Sequence, residues 1–177
     1  VEHYNRSYGG DEIYYHYADI LEVVTDNSLA GRTYDAICLS GVLEHVPDFS
    51  LFLNRIRGML SKHGKIFIFR FPNRHSWIES LNRLRFGNAM DHPIRFSKSE
   101  LNLMLRWHGF SIDASSYEEI FPVNLRGFPP TVVKLYHSLN PLLLPLSRVA
   151  CVVPLLNRAS TSFRIIGTRA FGPDEKT

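Results

Sequence analysis

Tyr34-Asp35-Ala36-Ile37-Cys38-Leu39-Ser40-Gly41-Val42-Leu43-Glu44-His45-Val46-Pro47-Asp48 is the stretch that decides the fold. Its first seven residues form a nearly continuous apolar run, the pattern of a strand buried on both faces in a parallel sheet covered by helices. Ser40-Gly41 ends the run. Asp48 or Ser50 can then cap a helix reaching Leu60, with Phe49, Phe52, Leu53, Ile56 and Met59 at helical spacing. Lys62-His63-Gly64 ends that helix, with Gly64 as its left-handed C-cap. The apolar run 65–71 is the next strand, stopped by Pro72-Asn73. Strand, helix, strand in this order is the signature of a right-handed parallel crossover unit.

Outward from this unit the signals are shorter. Upstream, Gly9-Gly10-Asp11 reads as a turn and Ile13-Tyr14-Tyr15-His16-Tyr17 as a strand, with Asp19 directly after it. Downstream, 76–84 reads as a helix and 86–93 as a loop. Ser97 and Glu100 have the spacing of a capping box that opens a helix to about His108, closed by Gly109. Strands follow at 110–114 and 162–169. Between them lies a proline-rich segment, 117–161, whose apolar part 139–156 approaches the length of a membrane span. Arg148 sits near its middle and Pro141, Pro145 and Pro154 interrupt it. A central Arg costs about 2.5–3.5 kcal/mol on insertion scales, which favours a buried or interfacial helical pair over a span.

The chain has 177 residues, 45% hydrophobic and 21% charged, which suits one domain and excludes disorder. Cys38 and Cys151 both sit in apolar runs, which excludes a disulfide framework and suits a reducing compartment. Cys38 reads as an inert core residue, and Trp77 and Trp107 read as helix-to-core packing. The net charge of +3 does not by itself indicate nucleic acid, and no recognition-helix, zinc or stacking signature accompanies it. The opening Val1-Glu2-His3-Tyr4 is neither a signal nor a transit peptide, and the chain reads as beginning inside a longer protein.

Taken together, 34–48 resembles the fourth-strand motif of class I S-adenosylmethionine-dependent methyltransferases, in the small-molecule and lipid-precursor branch that includes the ubiquinone-biosynthesis O-methyltransferases. Leu60-Ser61-Lys62-His63-Gly64-Lys65-Ile66 is similar to the family's helix-to-fifth-strand signature. His92-Pro93-Ile94-Arg95-Phe96-Ser97, with Gly109-Phe110 beyond, resembles its downstream pattern. The family's glycine-rich loop and second-strand acid have no counterpart upstream of Tyr15. The resemblance therefore implies a Rossmann-like α/β sheet, N-terminally truncated, with 1–177 a single partial methyltransferase domain and 117–161 a helical insert before the last strand. The implied activity is methyl transfer from S-adenosylmethionine to a small or lipid-linked acceptor. As it stands, the chain is expected to bind the cofactor weakly or not at all.

The resemblance also distributes roles. Asp19 matches the acid that accepts a hydrogen bond from the adenine amino group, with Ile20 beside the ring; alternatively Asp19 caps a helix. The Ser40 carbonyl can receive the cofactor's ammonium, and Gly41 lets a ligand approach the backbone; a plain strand-to-helix turn is the other reading. His45 is a candidate general base or a residue packing against the cofactor. In the quinone branch Glu-His belongs to a metal-ligand motif whose earlier acid is here Gly41, so no metal is assigned. Arg70, Arg74, His75, Arg83, Arg85, Arg95 and Lys98 gather after the second strand of the unit, as an acceptor pocket for an anionic group or as a solvated basic surface. The expected setting is cytoplasmic, with peripheral membrane contact through 139–156. The competing reading, from another class, is a non-catalytic binding or membrane-recruitment module derived from the same fold.

Overall fold

A computed structural model describes residues 3–8, 11–16, 32–86, 94–122, 125 and 128–170. The crossover unit forms as the apolar pattern requires. Strand β3 (Tyr34–Ser40) runs parallel to β4 (Leu60–Pro72), and helix α1 (Phe49–Met59) connects them. Asp48 starts the helix by accepting a hydrogen bond from the Leu51 amide at 2.9 Å. The second half of the sheet is antiparallel: β5 (Phe110–Tyr117) pairs with β6 (Ser162–Arg169), which in turn pairs with β4. The order across the sheet is β3-β4-β6-β5, a mixed α/β architecture of Rossmann-like type. Upstream, β1 (His3–Tyr8) and β2 (Asp11–His16) form a two-stranded antiparallel sheet. The aromatic strand is thus present as β2, paired with a partner that the polar run before it does not announce.

One face of the sheet carries the core. Leu39, Ile66, Ile68, Phe163 and Ile165 meet Phe52, Leu53 and Ile56 of α1 and Leu101 and Leu105 of α3 (Lys98–Trp107) in one continuous cluster. Each such side chain contributes about 1.5–3 kcal/mol by leaving water. Helix α3 opens with the expected capping box, the Glu100 amide donating to Ser97 Oγ and the Ser97 amide to Glu100 Oε2. The backbone bond from Ser97 lowers the Glu100 pKa, which keeps the box charged. Gly109 closes the helix with φ +76°, where a side chain would be strained. Helix α2 (Trp77–Phe86) starts at buried Ser76, whose Oγ accepts from the Glu79 amide.

Four expectations are corrected. Cys38 is exposed and β3 is buried only at Leu39, because among the described residues β3 lies at one edge of the sheet and the helices cover the face of Ile37 and Leu39, not that of Cys38. Gly64 is no C-cap: α1 stops at Met59 and β4 begins at Leu60, with Gly64 inside the strand. Its glycine is required by space, since a Cβ there would lie 2.8 Å from the Tyr34 carbonyl oxygen and 2.9 Å from the Ser61 nitrogen. Trp107 is 77% exposed and packs in no core. The apolar segment is mostly one helix, α4 (Pro130–Val152), with only a 3-10 turn (Leu156–Ala159) in place of a second helix, and Pro141 and Pro145 lie inside α4 without ending it. The loop expected at 86–93 falls largely outside the described residues.

Candidate functional site

The carboxyl end of β3 is built by an alternation of anchors and open positions. After Ser40, the chain turns at Gly41 with φ +64°, a backbone state that costs an L-residue roughly 1–2 kcal/mol. A 3-10 turn (Leu43–His45) follows, and Leu43 and Val46 sink into the core at 1% and 0% exposure. Those two anchors leave Ser40, Gly41 and His45 exposed to solvent. Glu44 turns inward and is buried, with Oε1 3.7 Å from the point a Gly41 Cβ would occupy. The Glu44 carbonyl accepts from the Ile94 amide at 3.3 Å, tying the turn to the segment before α3. The result is an exposed, side-chain-free backbone at a strand's carboxyl end, beside a buried carboxyl group. That geometry admits close approach of a ligand to the main chain.

Of the residues singled out in the sequence, Ser40, Gly41 and His45 are brought together here. Asp19 and Ile20 lie outside the described residues. Among the described residues, no group of three or more His, Cys, Asp or Glu side chains has the arrangement to hold a metal ion.

The basic cluster resolves into separate structural tasks. Arg74 pairs with Glu100 at 2.6 Å and donates to the Arg95 carbonyl. Arg95 faces Glu79 at 3.4 Å in a nearly buried pair. Lys98 donates to the Ser115 carbonyl and lies 4.5 Å from the Tyr117 ring centroid. Arg70 occupies a left-handed position, φ 55°, at a bulge in the β4–β6 pairing, where its amide donates to Glu118 Oε2 at 3.0 Å. These four residues stitch the loops of the carboxyl edge to one another.

The sequence reading passed over Asn73, seen there only as a strand stop. It is fully buried, and its Nδ2 donates to the carbonyls of Arg158 and Ser160 at 2.8 and 2.9 Å. Its amide donates to the Thr161 carbonyl as well. Asn73 therefore clamps the return from α4 into β6, and no local pattern marks an Asn for such distant partners. On the other side of that return, burial pushes the Glu119 carboxyl up, against the pull of Arg70. Burial likewise raises the Cys151 thiol, which disfavours a reactive thiolate there.

Residues 10–115 match the family described as methyltransferase domain. No curated protein matches the chain. Among solved structures, a SAM-dependent methyltransferase from Archaeoglobus fulgidus is 17% identical with a TM-score of 0.50, the match covering 85% of this chain and 65% of that one. A SAM-dependent methyltransferase from Thermotoga maritima, described as a possible histamine N-methyltransferase, is 15% identical with a TM-score of 0.51. That match covers 78% of this chain and 57% of the other. At these identities the likeness is one of fold, and the chain spans about two thirds or less of the length of either structure.

Proposed function

Since the chain belongs to the methyltransferase domain family, we propose that it serves S-adenosylmethionine-dependent methyl transfer to a small or lipid-linked acceptor. The observation that carries this is Gly41: left-handed, exposed, at the carboxyl end of a parallel strand and within the motif that the family resemblance rests on. The residues present fit the cofactor. Gly41 would admit it to the backbone, the Ser40 carbonyl would receive its ammonium, and Asp19 and Ile20 would hold the adenine by a hydrogen bond and by packing. S-adenosylmethionine supplies a methyl group already activated on a sulfonium, so the protein's work is alignment and exclusion of water. His45 would take the proton of the acceptor, be it an oxygen, nitrogen or carbon nucleophile. In this reading 117–161 is an insert in one methyltransferase unit, and its helical part at 139–156 brings a lipid-linked acceptor to the site from a membrane surface.

Amide hydrogen exchange of the full-length protein, with and without saturating S-adenosylhomocysteine, tests the assignment. Protection is expected at Asp19 and along 40–45. Equal exchange in both states overturns it. Gly41→Ala adds a second arm: its Cβ meets no protein atom closer than 3.7 Å, but φ +64° strains it. A loss of affinity of tenfold or more therefore reports ligand contact where amide exchange along 41–46 without ligand matches the wild type, and a changed turn assigns the loss to strain.

A further inference from the structure

Helix α4 has two seams at helical spacing, a mixed one turned to the protein and an apolar one that is not. Tyr136, Asn140, Leu143, Ser147 and Ala150 recur at intervals of four and three residues and are buried or half-buried. This seam faces the body of the protein, where Ser147 Oγ accepts from the Ile120 amide at 2.8 Å and the Tyr136 hydroxyl donates to the Pro122 carbonyl at 2.6 Å. The second seam is Val132, Leu135, Leu139, Leu142, Leu146 and Val149, again at intervals of three and four. Those six side chains are between 41% and 63% exposed. At 3.6 residues per turn they form one stripe along the helix, rotated away from the inner seam.

Charge decides what this stripe meets. From Ile120 to Thr161 the chain contains no Asp or Glu. Lys134, Arg148 and Arg158 are all exposed over the same stretch. A second copy of the helix would set like charges side by side with no acid to pair them, which disfavours self-association through the stripe. An anionic surface takes up the apolar stripe and attracts the net positive charge of the segment. Lys134 lies about 110° round the helix from the stripe and Arg148 about 150°, so both act by attraction across the helix rather than by direct contact. No helix among the described residues is long and apolar enough to cross a membrane, so this one lies along the surface. Just beyond the helix, Leu155 stands in a left-handed turn at 73% exposure, extending the apolar surface past the last helical residue.

We propose that α4 docks in the plane of an anionic lipid bilayer, its exposed Leu and Val stripe inserted at the headgroup boundary and the charges of Lys134, Arg148 and Arg158 attracting the acidic surface. This rests on the membrane-proximal reading above and adds to it the lipid charge, the inserted face and the orientation of the helix.

The test is co-sedimentation of the whole protein with phosphatidylcholine vesicles, with and without phosphatidylserine. Binding is expected on the phosphatidylserine vesicles and is expected to fall as salt is raised. The variant Lys134→Gln/Arg148→Gln/Arg158→Gln should lose about fivefold per cation, roughly 100-fold in all. Leu139→Ser/Leu142→Ser/Leu146→Ser should abolish binding while circular dichroism shows the fold unchanged, because the three side chains touch solvent already. Equal binding to neutral and anionic vesicles overturns the proposal. So does absence of vesicle binding, whether the protein is monomeric or forms a dimer that the serine variant dissociates. The comparison of the two vesicle types needs no variant and stands even if a substitution unfolds the chain. Titration with S-adenosylhomocysteine, read in parallel, separates the two ideas. Cofactor binding without vesicle binding removes the docking helix and leaves the methyltransferase reading, and vesicle binding without cofactor binding does the reverse.

Discussion

Helices α1 and α4 carry the same residue types at the same spacing and meet opposite surroundings. In α1, Phe52, Leu53 and Ile56 are at most 3% exposed beneath the sheet. In α4, Leu142 is 63% and Leu135 62% exposed. The difference lies in what holds each helix. Apolar contact holds α1, and its partners are the strands it connects, β3 and β4, close in the chain and forced together by the crossover. Hydrogen bonds to the segment after β5 hold α4, through Ser147 and Tyr136, while most of its leucines take no part. Periodicity thus reports that a helix has an apolar face and is silent on what covers it.

The largest test of that contrast is a matched pair of leucine truncations. Leu53→Ala should destabilise the protein by about 2–5 kcal/mol in urea unfolding, through lost transfer energy and an unfilled cavity. Leu142→Ala should cost about 0.5 kcal/mol or less, as exposed positions do. Similar losses at the two sites would mean that α4 is packed as tightly as α1 and that the contrast is false.

The same division explains what was legible in the sequence. The capping box at Ser97 and Glu100 and the Gly109 stop are local devices, each completed within a few residues, and the crossover unit joins consecutive elements, so each appears where the residues require. The turn after β3 was legible only as a strand end at Ser40-Gly41, since the left-handed state of Gly41 and the burial of Leu43 and Val46 depend on the core beneath. The errors share another character. Exposure of Cys38 and Trp107 depends on which elements cover which face, and an apolar run carries no information on that. Gly64 looked like a C-cap because glycine serves both left-handed turns and close packing, and only the 2.8 Å approach of the Tyr34 carbonyl separates the two. Asn73 escaped notice because its partners, Arg158 and Ser160, lie more than eighty residues away.

A smaller effect is expected from the polar hold on α4. Ser147→Ala removes the oxygen that accepts from both the Ile120 amide at 2.8 Å and the Phe121 amide at 3.5 Å, leaving those donors short of an acceptor at a buried contact. About 1–3 kcal/mol is the cost of such an orphaned donor. Because the bond fastens one helix to one loop, the loss should appear locally, as faster amide exchange at Ile120 and along the helix, before it appears in global unfolding. Unchanged exchange at Ile120 would shift the hold on α4 to its half-buried inner seam, making it resemble α1 after all.

The smallest effect is a titration within the polar hold on α4. The Tyr136 hydroxyl donates to the Pro122 carbonyl at 2.6 Å, and burial, with a lesser push from the Glu119 carboxylate, raises its pKa above the ordinary tyrosine value. In the unfolded chain that phenol ionises near pH 10. The sign follows from linkage: above that pH the folded state holds a proton the unfolded state has released, so stability falls as pH rises. Below pH 10 the contribution is whole. It declines from there until the folded phenol also ionises, at which point the donor to Pro122 is gone and an anion faces a carbonyl. Tyr136 is only partly buried, so the loss should be smaller than that of Ser147→Ala. Urea unfolding at successive pH values above 10, with Tyr136→Phe as the reference, isolates it from the other tyrosines. The phenylalanine variant should fall less steeply than the wild type over this range. Parallel slopes would mean that the bond to Pro122 adds nothing to the hold on α4, which would then rest on Ser147 and the half-buried inner seam.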